Sequence, residues 1–460
     1  MRNHRHRFVP LSLFVLFLLA AIFRVHGLFT SAFHPQEALY ATWGREIAAG
    51  NAPFLRGAPL QEPPGLPYLL ALFYTLPGLT AAWVARLPAF IGSLLLVPLT
   101  ARLVWSVYHD RLAMVIATVF IALSPFAIQF SATAFAAPLA TVLLVAALAT
   151  AAGAAGDKDR SSPLAGIFFA LAVATQEEAW LFLPLLVGLL IFTALRGAAR
   201  RQSNALGRRI RRTLTSFMFG ALPLLLVLLL WQLVRSDDLV LPGGQMENLL
   251  HSRLVWSWEL WPRLEAWGEL VGIMIGSPIV TFLLVLALPI FLALLIYEQD
   301  WPTAFDQLFL LFLLAYLVLH WFIALPVQDR SLLSLLPLLA LLLGRFLSRV
   351  VAFTAHELPA PARAPVQGAL VVALVLLMLP SAWAGREGAF PVGGRQGAQE
   401  LAHPTALAAE GVHSSGADGA CLALPLRGER APLIQTLPGA ALIAEPVCGT
   451  ATFVRYATVP

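Results

Sequence analysis

Charge is what this sequence lacks most. Only 12% of its 460 residues are Asp, Glu, Lys or Arg, against 59% hydrophobic residues, and so little polar surface cannot cover a water-soluble globule of that size. The solvent is therefore lipid, in keeping with a mean hydropathy of +0.79. Lysine is almost missing, with Lys158 the single example, so cationic chemistry must fall to arginine or histidine. Cysteine is confined to Cys421 and Cys448, and no zinc-type Cys/His spacing can be built from them. Phosphate-binding glycine loops, dinucleotide fingerprints, nucleophile elbows and internal repeats are absent too. These absences argue against ATP-driven transport, redox chemistry and serine hydrolysis.

What is present is a succession of apolar runs of membrane-crossing length, roughly 20 residues each. They lie near 8–29, 83–107, 112–130, 134–152, 164–175, 179–195, 214–234, 270–297, 308–325, 332–346 and 369–384. The pattern predicts an all-α polytopic membrane protein of about eleven transmembrane helices over residues 1–384, with a small extracytoplasmic segment over 385–460. The first run follows a basic start but is too long for a signal peptide and has no small-residue cleavage site, so it reads as a retained helix. The short runs at 164–175 and 179–195 meet at Gln176-Glu177-Glu178 and predict a tight hairpin with a polar tip. Starting inside and alternating, the inner joints collect Arg102, Arg111, Lys158, Arg160, the cluster from Arg196 to Arg212, Arg345, Arg349 and Arg363. That bias puts the N-terminus in the cytoplasm, with 298–307 as an acidic exception. The net charge of +5 then reads as an orientation signal and an affinity for anionic headgroups, not as a nucleic-acid surface.

Two outer loops are long, at about 30–82 and 235–269. In the first, Pro35 and Gly50 bracket a short amphipathic helix over 36–49, and 66–76 is an apolar stretch too short to span. In the second, Trp256, Trp258, Trp261 and Trp267 alternate with charges, as in an interfacial helix that serves as an aromatic belt or covers a substrate. In the tail glycine recurs, and Cys421 and Cys448 both fall there, in a compartment where disulfides persist, so they are expected to pair, two separate buried thiols being the alternative. The ionisable residues Arg24, Glu37, Glu62, Arg86, Glu177, Glu178, Asp329 and Arg330 all fall near one outer surface. Such a distribution suits chemistry at an interface better than conduction.

The order of several short strings then carries a resemblance. His34-Pro35-Gln36-Glu37-Ala38-Leu39-Tyr40-Ala41, Glu62-Pro63-Pro64-Gly65-Leu66-Pro67-Tyr68, Arg86-Leu87-Pro88, Ser124-Pro125 and Asp329-Arg330 follow one another along the chain. Together they resemble the membrane-embedded GT-C glycosyltransferases, among them the protein O-mannosyltransferases and the lipid A aminoarabinose transferase. The likeness is fullest over the first 200 residues or so and continues mainly as topology.

The resemblance implies a GT-C-like fold in a bacterial plasma membrane. It also implies inverting transfer of a sugar from a polyprenyl-phosphate donor to a lipid, glycan or protein acceptor at the outer face. An outer carboxylate would then take the acceptor's proton while cations hold the leaving phosphate. Carried onto this sequence, Glu37 and Glu62 are the candidate bases. Arg86 and Arg330, with Arg253, His34 and Tyr68, are the candidates for donor binding. Several family positions are degenerate: Gln36 stands in place of an Asp, Glu62 in place of a phosphate-binding Lys, Gln176 in place of the Lys of a Thr-Lys-Gly pattern, and no acid occurs in 133–138. Each candidate has an ordinary alternative: a first-turn acid for Glu37, a solvated loop acid for Glu62, and snorkelling to headgroups for Arg86 and Arg330. His320, beside Trp321, reads as a helix-packing hydrogen bonder. No cofactor is required by these residues. Glu62 with His34 is the pair that would take part in holding a divalent metal, and no resident metal site is assigned. The expected partners are membrane lipid and the polyprenyl-phosphate sugar. A catalytically inactive scaffold or subunit of a membrane complex, with a membrane-protein partner, is the alternative.

Overall fold

The computed structural model describes residues 5–30, 35–55, 63–79, 81–153, 161–201, 206–236, 254–297, 300–323, 329–354 and 359–390. It also describes short strand segments at 421–422, 440–443, 447–448 and 455–458. The chain starts with α1 (Arg5–Thr30), continues through two short helices, α2 (Pro35–Ala48) and α3 (Gly65–Tyr74), and enters α4 (Leu87–Tyr108) through the 3-10 turn Ala82–Arg86. Next come α5 (Arg111–Leu123), α6 (Pro125–Phe130), α7 (Ala136–Gly153) and α8 (Ser161–Thr175). The 3-10 turn Glu177–Phe182 leads to α9 (Leu183–Arg201) and α10 (Leu206–Ser236). The second half holds α11 (Ser257–Ile275), α12 (Pro278–Tyr297), α13 (Trp301–Phe322), the single turn α14 (Asp329–Leu333), α15 (Leu336–Thr354) and α16 (Ala360–Arg386).

Among the described residues, eight helices are long and apolar enough to cross a membrane, and α11 with α12 would make a ninth if that bent pair is one span. Of the other expected spans, α5 and α8 reach only 13 and 15 residues. α5 is prolonged by α6 across the Ser124–Pro125 corner, where the Ser124 hydroxyl accepts from the Ala127 N–H and donates to the Met274 carbonyl at 2.9 Å. The bundle is built around α7, which packs on α4, α8 and α9. Its apolar window is 78% buried, against 22% for α16 and 28% for α10 at the periphery. Helix α7 therefore faces protein all round, as its nearly uniform Ala/Leu/Val sequence requires.

Three boundaries differ from the sequence expectation, each for a local reason. The span expected from 270 begins at Pro278 instead: α11 runs on to Ile275, ends on the left-handed Gly276 (φ +80°), and turns by 108° into α12. The expected tight hairpin at 176–178 is opened by the 3-10 turn. Consequently α8 lies against α7 and α10, and α9 lies against α7, α10 and α13. Finally, the acidic exception at 298–307 is largely helix. Asp300 caps α13 through the Thr303 N–H at 2.8 Å and lies 3.7 Å from Arg349, while buried Asp306 lies 3.7 Å from Arg345 and accepts from the Tyr108 hydroxyl. Arg345 also reaches Asp110, the N-cap of α5, at 3.6 Å. The acids of this joint are thus matched by arginines on α15 at the same end of the bundle.

In the tail, β1 (Cys421–Leu422) pairs antiparallel with β3 (Val447–Cys448), and β2 (Ala440–Ile443) with β4 (Arg455–Thr458). The first register sets Cys421 opposite Cys448.

Candidate functional site

The end of the bundle that carries α2 and α3 gathers most of the residues singled out from the sequence, and it will be called the loop face. Pro35 opens α2 and places Glu37 in its first turn, where an acid is favoured by the helix dipole. Arg86 closes the 3-10 turn ahead of α4 and is followed by Pro88 in the helix's first turn. The two side chains meet: Arg86 Nη2 donates to Glu37 Oε2 at 3.3 Å, and both residues are 2% exposed. The second carboxylate oxygen accepts from the Ala134 N–H at 3.1 Å, and Arg86 Nη1 reaches the Leu28 carbonyl at 3.5 Å. One buried ion pair therefore fastens α2, the start of α4, the end of α1 and the strap from Ser131 to Phe135.

That arrangement bears on chemistry. A carboxylate whose two oxygens already accept from a guanidinium and a backbone N–H is occupied, and is not presented to an acceptor's hydroxyl. A guanidinium bound to a carboxylate has, equally, lost much of its pull on a phosphate. The pair is best described as a strut, in which the first-turn acid and the nearby arginine satisfy each other out of water.

Arg330 lies along the same strap. It opens α14 with Asp329, whose carboxylate accepts from the Arg330 N–H at 2.7 Å, and its guanidinium sits 6.0 Å from the centre of the Phe135 ring. Phe135 is the immediate neighbour of Ala134, so Arg330 and the Glu37–Arg86 pair share one short segment. Tyr68 points elsewhere: its hydroxyl donates to the Pro53 carbonyl and accepts from Trp231 Nε1 at 2.8 Å, binding α3 to α10. His34, Glu62 and Arg253 lie outside the described residues. A Cβ on Gly65 would stand 2.6 Å from the Ala174 carbonyl and 2.8 Å from Thr175 Oγ1. Only glycine lets the start of α3 lie that close to the end of α8.

A second cluster at this end was not singled out as a site from the sequence. Glu178, 8% exposed, accepts from Ser331 Oγ at 2.8 Å and from Gln176 Nε2 at 2.9 Å, while the Ser331 carbonyl accepts from the Tyr316 hydroxyl at 3.1 Å. The contact joins residues 153 positions apart and ties the 3-10 turn before α9 to α14. Its sequence signals were the polar tip Gln176-Glu177-Glu178 and the departure from the Thr-Lys-Gly pattern there. His320 stacks on Tyr316 at 4.2 Å and meets Trp267 edge-on at 5.9 Å, its Nδ1 lying 2.9 Å from the Tyr316 carbonyl. Packing, then, accounts for it. Arg263 Nη2 donates to the carbonyls of His320 and Ile323 at 2.7 and 3.0 Å and so closes the end of α13. Of the four tryptophans, Trp256, Trp258 and Trp261 are exposed and Trp267 is buried, an outward set of the kind that sits at a membrane interface.

Arg24, also expected at the outer surface, is fully buried. It donates to Ser93 Oγ and to the carbonyls of Ala20, Ile121 and Ala122 at 2.8 to 3.2 Å, satisfying the C-terminal end of α5. Among the described residues, no group of three or more His, Cys, Asp or Glu side chains gathers as a metal site. Glu37, with a cation already at 3.3 Å, does not fit that role.

Residues 61–231 match the dolichyl-phosphate-mannose-protein mannosyltransferase family. No curated protein sequence matches the chain. Among solved structures, ArnT from Cupriavidus metallidurans bound to undecaprenyl phosphate is similar at a TM-score of 0.53 and 14% identity, covering 83% of this chain and 75% of its own. The oligosaccharyltransferase of Archaeoglobus fulgidus in the apo form gives a TM-score of 0.54 at 14% identity, covering 84% of this chain. This chain spans 57% of that protein's length. Identities this low speak for the fold, which is the one the ordered motifs resembled. The chain is a multi-span membrane protein with a GT-C-like fold, similar over residues 61–231 to the dolichyl-phosphate-mannose-protein mannosyltransferase family.

Proposed function

We propose that this protein is a membrane glycosyltransferase that takes its sugar from a polyprenyl-phosphate donor and works at the loop face, with inversion at the anomeric carbon. One observation carries the reading: Arg330 and the Glu37–Arg86 strut are gathered on the strap 131–135, at the loop face of a GT-C-like fold. With Glu37 engaged, Glu62 is the carboxylate left to take the acceptor's proton. The acceptor oxygen then attacks the anomeric carbon from the side opposite the phosphate, the bond from that carbon to the phosphate oxygen breaks, and polyprenyl phosphate leaves. Arg330 holds the growing phosphate charge, for which its planar fork is suited, with Arg253 and His34 as its helpers. Tyr68 serves by anchoring α3. In this reading the loop face is extracytoplasmic and the N-terminus cytoplasmic, in a bacterial plasma membrane, as the arginine distribution suggests.

A second reading rests on a separate observation. Gln36 stands beside Glu37, which is engaged by Arg86, and an amide cannot act as a base. A non-catalytic relative serving as a subunit of a membrane complex would look like this. Native mass spectrometry of the gently solubilised protein separates the two. A co-purifying polyprenyl-phosphate lipid that Arg330→Ala removes is the result expected of the enzyme. A stoichiometric protein partner without that lipid would establish the second reading in its place.

A further inference from the structure

At the end of the bundle opposite the loop face, α1 and α4 part to leave an apolar groove with a volume of about 300 Å³. Leu13 and Phe17 form one wall, Pro98 and Trp105 the other, and Met114 of α5 lies at its floor. Arg102 also lines it and is exposed there. Every other lining residue is apolar. A guanidinium is costly beside hydrocarbon unless an anion or water meets it, yet among the described residues no acid lies within ion-pair distance of Arg102 and no side chain or carbonyl bonds to it. The acids at this end of the bundle are committed elsewhere, Asp110 to Arg345, Ser348 and the cap of α5, and Asp306 to Arg345 and Tyr108.

The depth fits a headgroup. Arg102 lies six residues before Tyr108 at the end of α4, which at roughly 1.5 Å per residue is about 9 Å along the helix, within the reach of a snorkelling side chain. Trp105, one turn closer to the end, stacks on His109 at 5.5 Å, as an aromatic at an interface would. Apolar walls with a cation at one end match a membrane lipid with an anion at its head.

We propose that this groove binds an anionic glycerophospholipid, one acyl chain lying between α1 and α4 and the phosphate meeting Arg102. The site is separate from the loop face, and the proposal does not depend on the glycosyltransferase reading. The test is native mass spectrometry of the full chain after transfer into nanodiscs of phosphatidylglycerol and phosphatidylcholine. One phosphatidylglycerol should be retained per chain in preference to phosphatidylcholine. Arg102→Ala should reduce that retention about fivefold, the weight of one cation near an anionic surface, and Arg102→Lys should keep it. Arg111→Ala, at an exposed cation outside the groove lining, should leave it unchanged. Because Arg102 is exposed, the variants should unfold at the same temperature as the parent, and that measurement excludes misfolding as the cause of a loss. Equal retention of the two lipids, retention unaffected by Arg102→Ala, or polyprenyl phosphate as the Arg102-dependent lipid would overturn the proposal.

Discussion

Arg86 and Glu37, 49 positions apart in the chain, stand 3.3 Å from each other where almost no water reaches either. Burying two charges is tolerable when they are paired and bonded to their surroundings, and the Ala134 N–H and the Leu28 carbonyl supply two such bonds. Removing one partner leaves the other charged and buried. Glu37→Gln or Arg86→Met alone should therefore destabilise the protein by roughly 3–5 kcal/mol. The double variant Glu37→Gln/Arg86→Met should recover much of that loss, as read by thermal unfolding in detergent. If the two losses simply add, the residues are not a pair.

That relationship also marks how far the sequence could be read. Long apolar runs announce helices from within their own windows, so α1, α4, α7, α10 and α13 lie close to where hydropathy puts them. Helix ends set by single residues were harder. Gly276 and Pro278 break a continuous apolar stretch, and hydropathy alone does not register the turn. Asp306 looked like a loop acid because its partners, Tyr108 and Arg345, are distant in sequence. At the site, residue types and motif order pointed to Glu37, Arg86 and Arg330. That the first two cancel each other, and that Glu178 meets Ser331, are facts of tertiary packing with no local pattern.

The start of α3 has no room for a side chain. A Cβ at Gly65 would lie 2.6 Å from the Ala174 carbonyl, which belongs to helix backbone and cannot simply swing away. Gly65→Val should cost about 1–3 kcal/mol, and Gly65→Ala less. Limited proteolysis of the first loop should accelerate in step. Unchanged stability of Gly65→Val would show that the two helices are not held so closely.

In the tail, the antiparallel register faces Cys421 with Cys448. Directly opposed Cα atoms in such a pair are roughly 4.5–5.5 Å apart, inside the range of about 4.4–6.8 Å that a disulfide bridges. We therefore expect no reactive thiol in denaturant until reductant is added, and two afterwards. Two thiols before reduction would show the cysteines to be unpaired and would remove one argument for an oxidising compartment around the tail.

Sugar transfer itself is the most direct test of the account. Purified protein in nanodiscs, given a labelled polyprenyl-phosphate sugar and a membrane extract as the source of acceptors, should move label from donor to acceptor. Glu62→Gln should abolish transfer with the fold intact, and Arg330→Ala should reduce it at least tenfold, about 1.4 kcal/mol of lost transition-state stabilisation. Label that stays on the donor with the parent protein, or transfer that survives Glu62→Gln, would contradict the assignment of this loop face as a transferase site using Glu62.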